Sequence, residues 1–203
     1  AFAIIVSTYF EIFTNFGLST LLTREVAKDR RTGSRYLSNT MLLRLILLLL
    51  SVPLLLALIF VWRSLFGLDR DTALAILLLG AALVPGNVAT GLSSLFYAHE
   101  RMEYPAAVSI VTTLLTVGLG TVVLLSGGGF VGLAAVAVVV NEITAGIFLA
   151  LVSRILFRPR LSVEPGLLPG MLGSAAPLML NHMLATLFFR IDVPAGNIQK
   201  HRE

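Results

Sequence analysis

No cysteine occurs among the 203 residues, which excludes a disulfide framework and any cysteine-ligated metal centre. Charge is scarce too. Asp, Glu, Lys and Arg make up 13% of the chain, against about 25% in soluble domains. No Gly-rich loop ending in Lys-Ser/Thr is present, so the chain carries no nucleotide-hydrolysing phosphate loop. A His-Glu-x-x-His spacing and a Gly-x-Ser-x-Gly elbow are both missing, and His99, His182 and His201 are scattered. These absences argue against a soluble enzyme, and no cofactor or metal is expected. A cleavable signal pattern is also lacking at the start.

What is present is hydrophobic: 57% of the residues are apolar. Between Arg44 and Arg63 lie eighteen uncharged residues, fourteen of them Leu, Ile, Val or Phe. That is long enough to cross a bilayer core as a helix. At roughly −0.3 to −0.6 kcal/mol each, these residues favour insertion by about 4–8 kcal/mol. Pro53 interrupts the run, and membrane helices tolerate proline. Similar stretches recur, and the sequence predicts six spans, at about 1–23, 41–62, 72–98, 104–125, 130–153 and 167–189. Gly127-Gly128-Gly129 divides the fourth from the fifth. The predicted class is all-α, a polytopic membrane helix bundle.

Thirteen of the fifteen cations are Arg, and the net charge is +4. In a soluble protein such a balance would suggest nucleic acid as a partner. Here the cations lie mostly in short turns between apolar runs, so topology is the better explanation and no nucleic-acid partner is expected. The turn after the first span holds Arg24, Lys28, Arg30, Arg31 and Arg35, that after the third Arg101, and that after the fifth Arg154, Arg158 and Arg160. The opposite turns hold only Arg63 and Arg70. This bias places the first set in the cytoplasm. The first span then runs inward, which is the reading expected of a fragment whose earlier helix is missing. After Val193 the sequence turns polar and unpatterned.

Polar residues inside spans usually face a bundle interior or a water-filled cavity. Glu11 is mid-span. At about 100° per residue Thr14, Asn15 and Ser19 share its face, while Tyr9, Phe13 and Phe16 lie opposite. This predicts a cavity-lining helix, with an interhelical hydrogen bond as the plainer alternative. The third span carries Pro85-Gly86-Asn87, followed by Thr90, Ser93 and Tyr97 on one face. Either a kink lining a cavity or a close helix contact explains it. Asn141-Glu142 interrupts the fifth span, with no role assignable to Glu142. In the sixth, His182, Thr186 and Arg190 share a face near Asn181. Arg190 either meets an anion or snorkels to the interface. Arg24 and Arg44, at span ends, suit either headgroup anchoring or contact with a lipid phosphate. The candidate cavity set is therefore Glu11, Asn15, Arg24, Arg44, Asn87, Asn181, His182 and Arg190.

Three segments carry a resemblance: Asn15-Phe16-Gly17-Leu18-Ser19-Thr20-Leu21-Leu22-Thr23-Arg24-Glu25, Phe96-Tyr97-Ala98-His99-Glu100-Arg101, and Ala176-Pro177-Leu178 with Phe189-Arg190-Ile191-Asp192. Over residues 1–193 the chain resembles the polysaccharide-biosynthesis flippases, the Wzx-type branch of the multidrug/oligosaccharidyl-lipid/polysaccharide exporter superfamily. The resemblance implies a two-lobe exporter fold, present here in part. Residues 1–166 would form most of the first lobe, 167–193 the first helix of the second, and 194–203 a polar tail. It implies a non-enzymatic carrier in the cytoplasmic (inner) membrane. That carrier would move a polyprenyl-pyrophosphate-linked oligosaccharide outward by alternating access about a cationic cavity. Its partners would be the lipid-linked oligosaccharide, membrane lipids and other polysaccharide-assembly proteins. Transport by this chain alone is not expected. Alternatives are a flippase for lipid-linked peptidoglycan precursor, a drug exporter of the same superfamily, and an integral membrane glycosyltransferase or structural subunit. The scarcity of acidic residues in the outer turns counts against the glycosyltransferase.

Overall fold

The computed structural model describes residues 11, 14–66, 70–157, 163–181 and 184. It is all-helical, with no strand among the described residues. After a helical turn at Thr14 and Asn15, the elements are α1 (Leu18–Lys28), α2 (Gly33–Phe66), α3 (Arg70–Ala98), α4 (Glu103–Leu125), α5 (Gly129–Leu151) and α6 (168–181). A 3-10 turn, Arg30–Thr32, joins α1 to α2, and a π-helical turn, Val152–Leu156, extends α5.

Four of these helices, α2 to α5, are long and apolar enough to cross a membrane. Their outward faces are apolar: Leu50 is 62% exposed, Leu114 68% and Leu125 84%. In water that surface would be a liability, but in lipid it is the expected exterior. The helix axes carry α3 at the centre. It packs most extensively on α5 and also meets α1, α2 and α4. The buried core lies in two clusters. One joins Leu22, Val26, Leu37, Leu95, Phe96, Phe148 and Val152. The other joins Leu18, Leu21, Leu43, Leu47, Met171 and Ala175, and so seats α6 against α1 and α2.

Two expectations are corrected. The first span is not one continuous helix: Phe16 and Gly17 have φ of +43° and +69°, and α1 starts afresh at Leu18. Gly17 fits for two reasons. Its backbone is left-handed, where glycine carries no Cβ penalty. A Cβ there would also lie 2.9 Å from Leu178 Cβ and 3.0 Å from Met179 N, so α6 approaches backbone to backbone. The second span does not begin near residue 41 but at Gly33, in a helix of 34 residues. The polar first two turns of α2 read as loop by hydropathy, yet Asp29 prepares the start. Its carboxylate accepts from Arg31 N at 3.0 Å, and its carbonyl accepts from Thr32 Oγ1 at 2.7 Å. The other boundaries agree to within a few residues where described.

The Arg-bearing turns meet at one end of the bundle. Arg30 lies 3.9 Å from Glu100 of the α3–α4 turn. Arg35 pairs with Glu164 of the segment before α6, whose N–H donates to Asn39 Oδ1 at 3.0 Å. The ring of Phe157 covers Gly33. The α4–α5 hairpin, with left-handed Gly127 and Gly129, is at the other end of those helices.

Candidate functional site

One face of α3 is built for a cavity. Gly86, Thr90, Ser93 and Tyr97 recur at helical spacing and form one stripe. They line a cavity of about 560 Å³, together with Glu11 and Asn15 before α1, Ser109, Thr112 and Thr113 of α4, and Asn141, Thr144 and Phe148 of α5. From Leu79 to Tyr97 its wall follows about 27 Å of helix axis at 1.5 Å per residue. It lies in the half of the bundle nearer the Arg-bearing turns, and Tyr97 and Pro105 mark that end.

The hydroxyls on this wall are tied to their own helices or to each other. Thr90 Oγ1 donates to Gly86 O at 2.8 Å and Thr113 to Ser109 O at 2.8 Å, while Thr112 and Thr144 share a hydrogen bond at 3.2 Å between α4 and α5. Such bonds satisfy the proton internally and leave oxygen lone pairs facing outward. Asn141 donates to Ala82 O at 3.2 Å, in the turn before Pro85. Gly86 makes room, for a Cβ there would lie 3.5 Å from Asn141 Nδ2.

Arg44 stands behind the cavity wall. Three turns inside α2, it is 2% exposed. Its Nη1 donates to the Asn87 carbonyl, and its Nη2 donates to Asn15 Oδ1 at 3.0 Å and Ser19 Oγ at 2.7 Å. One guanidinium thus ties α1, α2 and α3 together. The planar fork suits this, since several N–H groups leave one centre in fixed directions. Among the described residues no carboxylate forms an ion pair with it, and its Nε has no partner. Arg44 and Asn87 also border a second, mostly apolar cavity of about 310 Å³ between α2 and α3.

The structure brings Glu11, Asn15 and Asn87 to one cavity, with Arg44 bonded to Asn15 and Asn87. It does not place Arg44 at a headgroup surface, because α2 begins eleven residues earlier. Arg24 stays apart: half-exposed at the end of α1, it pairs with Glu25 at 2.9 Å. Lys28 shares that carboxylate at 2.9 Å. The hydrogen bond from Lys28, followed by that from Arg24, holds the Glu25 carboxyl below its ordinary value of 4.5. Asn181 is exposed on α6 and lines neither cavity. His182 and Arg190 lie outside the described residues. Glu142 faces outward, one residue from the inward Asn141. Among the described residues no cation lines the larger cavity. Among the described residues no group of acidic or histidine side chains is arranged for a metal. Sequence reasoning missed Ser109, Thr112, Thr113 and Thr144; the signals were the hydroxyl spacing of three and four on the fourth span and Thr144 three residues after Asn141 on the fifth.

The family model described as "Polysaccharide biosynthesis protein" covers residues 1–194. No curated protein and no solved structure matched the chain.

Proposed function

Because the chain belongs to the family of polysaccharide biosynthesis proteins, we propose that it forms the first lobe, with the opening helix of the second, of a flippase for lipid-linked oligosaccharide. The cargo is a polyprenyl-pyrophosphate-linked glycan. It moves from the inner to the outer leaflet of the cytoplasmic membrane by alternating access, with no chemical step on the chain. The observation that carries this reading is a cavity lined by hydroxyls and amides inside a bundle whose exterior is apolar. Sugars need many hydrogen-bonding partners, and lipid provides none. The Arg-bearing turns belong on the cytoplasmic side, which puts the cavity within reach of the leaflet where the glycan would be loaded. Membrane lipids and other polysaccharide-assembly proteins are the natural partners.

The test uses sealed vesicles containing the intact transporter and a fluorescent polyprenyl-pyrophosphate glycan. Quenching from outside should report transfer between leaflets. Asn87→Ala should slow it severalfold, and Glu142→Gln should leave it unchanged. Transfer equal to protein-free vesicles would overturn the proposal. A cation exporter of the same superfamily is the second reading, carried by Glu11 and Tyr97 in one cavity. In the same vesicles it would move an aromatic cation and leave the glycan behind.

A further inference from the structure

The hydrogen-bonding polarity of the larger cavity can be read at most of its polar atoms, because partners that only donate or only accept fix the assignment there. A guanidinium only donates, so Asn15 must turn Oδ1 to Arg44, which leaves Nδ2 for the cavity. A carbonyl only accepts, so Asn141 must turn Nδ2 to Ala82 O and present Oδ1. Thr14 gives its proton to Glu11 O and therefore accepts from Asn87 Nδ2, which leaves Asn87 Oδ1 as an acceptor. Thr90, Ser93 and Thr113 donate to carbonyls of their own helices, while the Thr112 and Thr144 hydroxyls lie 3.2 Å apart and share a hydrogen bond in which either one donates. They too offer lone pairs. The wall is thus rich in acceptors, with the Asn15 amide as a donor fixed by Arg44.

Charge points the same way. Glu11 lines the cavity and has no ion-pair partner among the described residues. The cation behind the wall, Arg44, is 2% exposed, and both its terminal nitrogens are engaged by neutral acceptors. A ligand rich in O–H and N–H groups meets complementary lone pairs there. An anionic oxygen meets other acceptors and a carboxylate, an arrangement that rejects by repulsion.

We infer that this cavity receives the sugar portion of the cargo and selects neutral or amine-bearing sugars over acidic ones, while the pyrophosphate is held elsewhere. The inference rests on the transport reading above and adds a specificity to it. Arg44 is a positioning residue in this scheme: it sets which end of the Asn15 amide the ligand meets.

Three probes of one shape test it: octyl β-glucoside, its 2-amino-2-deoxy analogue and octyl β-glucuronide. Each is titrated calorimetrically, below its micellar concentration, into the chain held in lipid nanodiscs. The glucuronide should bind about tenfold more weakly than the glucoside, the effect of a like charge across a wet and partly screened cavity. The amino glycoside should bind at least as tightly as the glucoside. Glu11→Gln, a near-isosteric change, should shrink both differences. Glucuronide binding as tight as glucoside binding, or differences untouched by Glu11→Gln, would overturn the selectivity. Failure of all three probes to bind the folded chain would overturn the glycan-transport reading itself.

Discussion

At the scale of single residues, Arg44 shows how a buried charge is held without a counter-ion. A lone cation taken from water into a low-dielectric interior is costly. Here three neutral oxygens, from Asn15, Ser19 and the Asn87 backbone, share it. Removal would leave those acceptors short of donors and open a void. Arg44→Ala should therefore destabilise by about 2–4 kcal/mol, from lost hydrogen bonds and the cavity together. Arg44→Met also removes the guanidinium but refills most of the volume, so it should cost less. Thermal unfolding in detergent, followed by circular dichroism, reads both. Equal losses in the two variants would mean that the guanidinium bonds, and not the filled volume, dominate. Sequence placed this residue at a span end because charge normally marks one. A charge sheltered by neighbouring helices looks identical in the sequence.

At the scale of elements, the break in the first span and the early start of α2 share one cause. Local chemistry overrode a hydropathy boundary. Gly17 could be recognised as a breaker, but its closeness to α6 depends on a helix about 160 residues away in sequence. Glycine tells the two roles apart experimentally. Gly118 lies in the exposed interior of α4, and a Cβ added there would have nothing within 4 Å. Gly118→Ala should stabilise by about 0.5–1 kcal/mol, since alanine loses less freedom in a helix. Gly17→Ala should destabilise by at least about 1–2 kcal/mol for the left-handed backbone alone, before any clash with Leu178. Melting curves of the two variants should shift in opposite directions. A neutral Gly17→Ala would show that the break is not held in that conformation.

The alternation of charge along the chain made a further element-level statement legible: which turns share a side. Arg30 with Glu100, and Arg35 with Glu164, now join those turns physically. These exposed pairs contribute little stability, roughly 0–1 kcal/mol each. Their value lies in showing which ends coincide. The absence of cysteine makes the arrangement simple to check. Single cysteines at Thr32, Arg101 and Val163 should react with an impermeant maleimide only in inverted vesicles, and one at Ser126 only in intact cells. Labelling of Thr32 and Ser126 variants from the same side would contradict the topology.

At the scale of the whole molecule, periodicity alone grouped Gly86, Thr90, Ser93 and Tyr97 on one face and Glu11 and Asn15 on another, with cavity lining and helix contact both open. Which helices closed the other side, periodicity could not say. The hydroxyls of α4 and α5 read as ordinary small residues of membrane helices, and only the packing of α5 on α3 turns Asn141 and Thr144 inward. The position of α6 was equally hidden, since short polar linkers do not specify where the next helix docks. Met171 and Ala175 bury it against Leu18, Leu21, Leu43 and Leu47, and Ala175 is fully enclosed. The helix that follows the linker is therefore held by the bundle before it, through apolar packing at α1 and α2 and through Glu164 at the linker. If this seat fixes how α6 engages the rest of the bundle, crowding it should act on α6 more than on the cavity. Ala175→Leu adds three carbons where there is no space and should destabilise the seat by about 1–3 kcal/mol. Limited proteolysis at the 157–164 linker should then accelerate while glycoside binding in the cavity, which α6 does not line, stays unchanged. Loss of binding in step with proteolysis would show instead that α6 and the cavity wall form a single cooperative unit.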